Sequence, residues 1–118
     1  MKKLALKTLK LTEIEINVVR ELKDAVIKFH PDAEFILFGS KARGDFYKGS
    51  DIDILILLDN DITTKIKSEI SRAAYDIEFK FAFQVRIGII VESKKYWDSH
   101  LGKIEPIHQN IDAEGIII

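Results

Sequence analysis

The chain has 118 residues, a formal net charge of −1 and no cysteine. This length suits a single domain, residues 1–118, and a content of 47% hydrophobic and 31% charged residues is typical of a folded globular protein. The absence of cysteine excludes disulfides and thiolate metal sites. The net charge gives no reason to expect a broad nucleic-acid surface, although a local basic patch remains compatible with it. The sequence contains no apolar run long enough to cross a membrane. We therefore expect a cytoplasmic protein.

The first predicted helix begins at Thr12, because Thr12 and Glu15 form a T-x-x-E capping box. Apolar residues then recur at helical spacing. The helix should end at His30, since Pro31 disfavours the α conformation in the residue before it. Residues 33–38, AEFILF, are rich in strand formers and predict a buried strand.

A polar stretch, KARGDFYKGS, separates this strand from a second one, DIDILILL, at residues 51–58. Because side chains alternate along a strand, Asp51 and Asp53 should share one face of it. An apolar stripe then predicts a long helix over about residues 61–81, followed by a third strand, QVRIGIIVES, at residues 84–93.

Shorter elements are predicted in the last quarter of the chain. The segment SKKYW, residues 93–97, is compatible with a short helix, and a further helix runs from Pro106 to Ala113 with Gly115 as its stop. Strands that alternate with helices indicate an α/β (α+β) fold, with a short mixed sheet of three or more strands flanked by helices.

The imidazole and large aromatic side chains are weaker candidates for a site. His30, His100 and His108 lack metal-ligand spacing, and we expect them at the surface or at helix caps. Tyr75 and Trp97 could stack on a nucleotide base, but packing in the core or at an interface is the favoured interpretation.

Asp51 and Asp53 form the strongest candidate site. Two carboxylates two residues apart on a strand point the same way, roughly 6–7 Å apart. They repel each other unless positive charge lies between them. A hard divalent cation such as Mg²⁺ takes oxygen ligands of this kind and shares its coordination shell with phosphates. The pair therefore predicts a site for Mg²⁺ and a phosphate chain.

Gly39 and Ser40 directly follow the first predicted strand. If a helical turn begins there, its free N–H groups form an anion site, to which glycine allows close approach and serine adds a hydroxyl. Lys41 and Arg43 can supply countercharge. A phosphate-binding turn about a dozen residues before a metal-binding strand predicts a nucleotide site.

The segment GSKARGDFYKGSDIDI, residues 39–54, resembles the G-S-x-A-R-G-(x)n-S-D-x-D signature of the minimal nucleotidyltransferases, within the DNA polymerase β-like nucleotidyltransferase superfamily. The resemblance extends over roughly residues 12–116 and is to small stand-alone bacterial domains. It implies a small nucleotidyltransferase fold and Mg²⁺-dependent transfer of a nucleoside monophosphate, AMP from ATP, to a hydroxyl with release of pyrophosphate. Because such proteins often pair with a HEPN-domain protein as antitoxin and toxin, it also implies a partner protein that carries the hydroxyl.

The resemblance further implies a role for each matched residue. The turn binds the β- and γ-phosphates and the strand binds the metal. The catalytic and metal-binding residues are Asp51 and Asp53. The nucleotide-binding residues are Gly39, Ser40, Arg43 and Ser50, with Arg43 either steadying the turn or contacting a phosphate.

One position departs from the superfamily pattern. A third carboxylate normally lies on the strand after the next helix, but QVRIGIIVE has no acid in its interior, and Arg86 and Gly88 stand in its place. Asp76, Glu78 and Glu92 are nearby acids that could replace it. Two alternatives to an enzyme stay open: a nucleotide- or partner-binding module with weakened catalysis, and an interaction domain that binds no nucleotide.

Overall fold

A mixed β-sheet organises the computed structural model, which describes residues 1–47 and 49–118. Within these ranges the sheet has five strands: β1 (Lys2–Lys3), β2 (Glu34–Phe38), β3 (Ile52–Leu58), β4 (Ile87–Ser93) and β5 (Ile116–Ile117). Their order across the sheet is β1–β5–β2–β3–β4. β3 and β4 are parallel, as are β1 and β5, whereas β2 is antiparallel to both β3 and β5.

Helices flank this sheet, which confirms the predicted α/β (α+β) class. The α-helices are α1 (Glu13–Ile27), α2 (Ser40–Arg43), α3 (Thr64–Lys80), α4 (Lys94–Trp97), α5 (His100–Ile104) and α6 (Pro106–Glu114). No helix in the described ranges has the length and apolar character needed to cross a membrane.

The predicted capping box at the start of α1 is confirmed. The Thr12 hydroxyl accepts a hydrogen bond from the Glu15 N–H, and the Glu15 carboxylate accepts one from the Thr12 N–H. The helix ends at Ile27, earlier than predicted, because the N–H groups of Phe29 and His30 both turn back to the Val26 carbonyl. The chain thus leaves the helix before the proline is reached.

The third predicted strand starts later than expected, at Ile87 rather than at residue 84. The chain turns at Ala82 and Phe83, which both have a φ of 55°, in the left-handed region that non-glycine residues seldom adopt. This turn brings the Phe83 ring to 5.7 Å from that of Tyr75, which is otherwise exposed. The two short strands at the chain ends were not predicted, since each has only two residues.

The two faces of β3 pack in separate hydrophobic clusters, as the alternation of its side chains predicts. Its isoleucines pack with α1 and α3, whereas Leu55 and Leu57 pack with Trp97 and Ile111 on the opposite face. The core interpretation of Trp97 is confirmed. The expectation of a surface position for His108 is wrong: this residue is 3% exposed and its ring stacks on Trp97 at 3.8 Å.

Candidate active site

Three strand ends meet at one edge of the sheet and bring the candidate residues together. In the register of the sheet Phe38 of β2 lies opposite Asp53 of β3, which in turn lies opposite Gly88 of β4. The residue that follows Phe38 is Gly39, so the turn after β2 comes directly beside Asp53. Residues that are far apart in sequence thereby form one site.

The short helix α2 forms the predicted turn after β2. Gly39 has φ 73° and ψ −160°, a region essentially restricted to glycine, and a side chain there would collide with the Asp53 carboxylate. The N–H groups of Ala42 and Arg43 both donate to the Gly39 carbonyl. Among residues 1–47 and 49–118 the N–H groups of Ser40 and Lys41 have no hydrogen-bond acceptor, as expected at a helix start.

The two aspartates lie where negative charge accumulates. Asp51 is exposed and precedes β3, and Asp53 is half-buried within it. Burial raises the pKa of Asp53 above its ordinary value, and the charges of Asp51 and Glu114 raise it further, while Arg43 acts in the opposite direction. A divalent cation would relieve this excess of negative charge, so the donor set fits Mg²⁺.

Ser50 contributes a second feature that suits a bound ligand. Its hydroxyl oxygen is buried and has no hydrogen-bond partner within residues 1–47 and 49–118. Buried polar atoms are normally paired, so an orphaned one next to the aspartates is consistent with a group that arrives with the substrate.

The two basic residues of the turn are both engaged with carboxylates. Lys41 is buried and its Nζ lies 2.7 Å from Glu15 of α1, so the expectation that it supplies countercharge to phosphate is wrong. Arg43 donates to Glu114 at 2.8 Å and to both oxygens of Asp45, and these carboxylates raise its pKa above the ordinary value. The turn is thus fixed on both sides by ion pairs.

This arrangement agrees with comparisons to known proteins. A family model of the nucleotidyltransferase domain matches residues 19–110. The chain belongs to the nucleotidyltransferase domain family. The match covers the turn, the aspartates and β4, and confirms the resemblance that the sequence motif indicates.

Two relatives of this nucleotidyltransferase domain come from Methanocaldococcus jannaschii, and both carry the name putative protein adenylyltransferase. One is 33% identical over 92 residues, which cover 76% of this chain and 91% of the relative. The other is 34% identical over 85 residues, which cover 72% of this chain and 76% of the relative. A crystal structure described as a putative nucleotidyltransferase from Sulfolobus solfataricus has 25% identity and a TM-score of 0.48, over 75% of this chain and 81% of that one.

The nucleotidyltransferase domain has a glycine where the superfamily pattern leads us to look for a third carboxylate. Gly88 is the β4 residue opposite Asp53. Glu78 accepts a hydrogen bond from the Ile87 N–H at 3.1 Å, and Glu92 lies opposite Leu57, about 13 Å along the strand from Asp53. In the described part of the chain no three acidic or histidine side chains form a group that could hold a metal ion.

Asp76 does not replace the third carboxylate either. It is exposed on α3, the helix that packs on the sheet face opposite Asp53. The candidate site therefore has two aspartates, with Asp76 and Glu92 away from them and Glu78 engaged with the Ile87 N–H.

Gly88→Ala tests how tightly the Asp53 carboxylate is enclosed. A Cβ at residue 88 would lie 2.6 Å from Asp53 Oδ1, so the carboxylate must leave its rotamer. We expect the free energy of unfolding, measured in urea, to fall by about 1 kcal/mol. In an Asp53→Ala background the contact is absent, and the same substitution should instead stabilise by about 0.5 kcal/mol. Equal effects in both backgrounds would contradict this enclosure.

Glu114 is the site residue that the sequence did not reveal. Its carboxylate accepts hydrogen bonds from the Gly39 N–H at 3.0 Å and from Arg43, and its charge reaches Asp53. One signal could have found it: Glu114 is the last residue of α6, and an acid is unfavourable at the negative end of a helix dipole. It lies beyond residue 110, where the family match ends.

Proposed function

We propose that the protein transfers AMP from ATP to a hydroxyl group of a partner protein. The observation that carries this proposal is the close approach of the Gly39 turn to the Asp53 carboxylate, which supports a phosphate site beside the two aspartates. The names of the two relatives support a protein acceptor. Their matched regions cover 91% and 76% of the two relatives, and 76% and 72% of this chain.

Each residue has a proposed task in this reaction. Asp51 and Asp53 would hold Mg²⁺, which when bound neutralises phosphate charge and orients the phosphate chain. The open N–H groups at Ser40 and Lys41, together with the Ser40 hydroxyl, bind phosphate oxygens. The Ser50 hydroxyl donates to the substrate, and Gly39 leaves room for the phosphates beside Asp53.

The proposed chemistry is an in-line displacement. The acceptor oxygen forms a bond to the α-phosphorus, the bond from that phosphorus to the bridging oxygen of the β-phosphate breaks, and pyrophosphate leaves with the electron pair. The hydroxyl proton goes to solvent, since Gly88 offers no base beside Asp53. The residues act by positioning the reactants and by balancing charge rather than by covalent catalysis.

The acceptor is proposed to lie on another protein. The resemblance to minimal nucleotidyltransferases points to a HEPN-domain protein, with this chain as the antitoxin. The hydroxyl of a tyrosine on such a partner fits the proposed reaction. This assignment rests on family analogy.

A labelling experiment tests the proposal. The protein is incubated with Mg²⁺, the protein encoded beside it, and ATP labelled either on the α-phosphate or on the γ-phosphate. We expect label on the neighbouring protein from α-labelled ATP only, and none with Asp51→Asn or Asp53→Asn. Transfer from γ-labelled ATP would indicate a kinase reaction and overturn the proposal.

The glycine at residue 88 favours a second candidate function, a binding module with weakened catalysis. Without a third carboxylate the site could retain nucleotide or partner binding and lose turnover. Under this alternative MgATP shifts the amide resonances of Gly39, Ser40 and Asp51, or the neighbouring protein binds, but no label is transferred. Absence of both amide shifts and label would favour an interaction domain that binds no nucleotide.

A further inference from the structure

The carboxylate of Glu114 contacts both ends of the α2 turn. Oε1 accepts a hydrogen bond from the Gly39 N–H at 3.0 Å, and Oε2 accepts one from Arg43 Nη1 at 2.8 Å. Gly39 caps the start of α2 and Arg43 is its last residue. One side chain from the end of α6 therefore spans the whole turn.

The position of Glu114 is electrostatically costly in the absence of these two partners. It lies at the C-terminal end of α6, where the helix dipole disfavours a negative charge, and its side chain is only 20% exposed. Its charge also adds to the repulsion felt by Asp53. A carboxylate in such a place needs compensation, and Arg43 and the Gly39 N–H provide it.

Arg43 contacts two carboxylates through different nitrogens of its guanidinium. Its Nε faces both oxygens of Asp45, at 3.2 and 3.1 Å, while Nη1 donates to Glu114. The two carboxylates thus carry more negative charge than this one guanidinium neutralises. These contacts join the last residue of the turn to Glu114 and Asp45.

We propose that Glu114 is a positioning residue for the phosphate-binding turn, and that Arg43 acts through it. The carboxylate holds the peptide between Phe38 and Gly39 at the start of the turn and Arg43 at its end, and thereby sets the gap between the turn and Asp53. The expected effect of Glu114 on MgATP affinity rests on the proposed nucleotide site. The structural role of Glu114, the order of the turn, stands independently of that site.

Two substitutions separate the contributions of Glu114. Glu114→Ala removes both hydrogen bonds, whereas Glu114→Gln keeps an acceptor for the Gly39 N–H and loses the charge that pairs with Arg43. Asp112→Asn is the matched control, because Asp112 is also an acid of α6 but pairs with His108. Urea unfolding of each variant checks that the global fold is retained, and the isosteric Glu114→Gln serves as the test if Glu114→Ala does not fold.

The first measurement follows the turn without any nucleotide. Hydrogen exchange of the Gly39 amide, resolved by NMR, should accelerate at least about tenfold in Glu114→Ala, because the amide loses its only protein acceptor among the described residues. Glu114→Gln should retain part of the protection, and Asp112→Asn all of it. The exchange of Leu55 in the sheet centre should stay the same in every variant.

The second measurement is the affinity for MgATP by calorimetry. Loss of the two bonds should weaken binding about tenfold or more in Glu114→Ala, less in Glu114→Gln, and not in Asp112→Asn. Arg43→Gln should weaken binding to a similar extent, and adding it to Glu114→Ala should cost little more, since both act through the same contact.

The outcomes distinguish the two proposals. Suppose that the wild type binds MgATP and that the Glu114→Ala variant keeps both the protection of the Gly39 amide and the affinity for MgATP. Glu114 is then not a positioning residue. Glu114→Gln is judged in the same way if the alanine variant is unfolded. An additive loss in the double variant would overturn the claim that Arg43 acts through Glu114. If the wild type binds no MgATP while Gly39 exchange responds as expected, the proposed function fails and the structural role of Glu114 stands.

Discussion

Replacement of Asp53 by asparagine is expected to abolish nucleotidyl transfer and, at the same time, to raise the melting temperature of the metal-free protein. Burial and the charges of Asp51 and Glu114 all raise the pKa of Asp53, which means that its ionised form is unfavourable in the fold. Asparagine keeps the shape of the side chain and removes the charge. A gain near 1 kcal/mol would appear as a rise of about 4 °C for a domain of this length.

The loss of activity has a different origin from the gain in stability. Asparagine is a neutral and much weaker ligand for Mg²⁺, so we expect transfer to fall on the order of a thousandfold or more. Mg²⁺ should raise the melting temperature of the wild type by mass action and leave that of Asp53→Asn nearly unchanged. Differential scanning calorimetry with and without Mg²⁺, together with the labelling assay, measures both effects.

Asp59→Asn is the matched control for this prediction. Asp59 follows the other end of β3, where it pairs with Lys94 at 3.1 Å, and it takes no part in the candidate site. We expect it to retain both transfer and the response to Mg²⁺. Transfer by Asp53→Asn at the wild-type rate would contradict the assignment of Asp53 as a metal ligand.

The features of the fold that depend only on residues close in sequence were predictable. The capping box of Thr12 and Glu15 needs only a helix start, and the alternation along β3 needs only a strand. Both patterns are local and are confirmed. The turn at Ala82 and Phe83 was not predictable, because neither residue favours a positive φ and tertiary packing of the aromatic rings accompanies it.

The partners of the charged residues in the site could not be predicted, because they come from distant parts of the chain. Its place in the turn suggests that Lys41 can supply countercharge to phosphate, whereas the fold pairs it with Glu15 of α1. Glu114 reaches Gly39 across 75 residues, brought there by the pairing of β5 with β2. Spacing within a motif determines which residues are near each other in the chain, but only the packing determines which charges remain free.

Glu15→Gln is expected to lower the free energy of unfolding by about 3 kcal/mol, because it leaves the buried ammonium of Lys41 without a counterion. Glu15 Oε1 accepts from the Thr12 N–H and Oε2 lies 2.7 Å from Lys41 Nζ, with the two side chains 9% and 5% exposed. Glutamine keeps the first contact, so the capping box survives and only the ion pair is lost. Urea unfolding at pH 7 measures the difference.

Two further variants show whether the unpaired charge is the cause. Adding Lys41→Met to Glu15→Gln removes the buried charge and should recover much of the stability. Glu69→Gln breaks an exposed pair with Lys65, at 3.9 Å, and should change stability by no more than about 0.5 kcal/mol. If the double variant were as unstable as Glu15→Gln, lost packing rather than an unpaired charge would be responsible.

The pH dependence gives an independent check on the same pair. Burial alone would raise the pKa of Glu15, but Lys41 and the Thr12 N–H outweigh it and hold that pKa below its ordinary value of 4.5. A carboxyl group whose pKa is depressed in the folded state stabilises the fold at pH values above its ordinary pKa. This stabilisation is lost as the pH falls through the pKa of the folded state. The stability difference between wild type and Glu15→Gln should therefore be constant from pH 7 down to about pH 5 and then shrink. Lys41 anchors the α2 turn to α1 through Glu15, and this ion pair is intact in the wild type at neutral pH. We therefore expect Glu15→Gln to bind MgATP more weakly than the wild type at neutral pH.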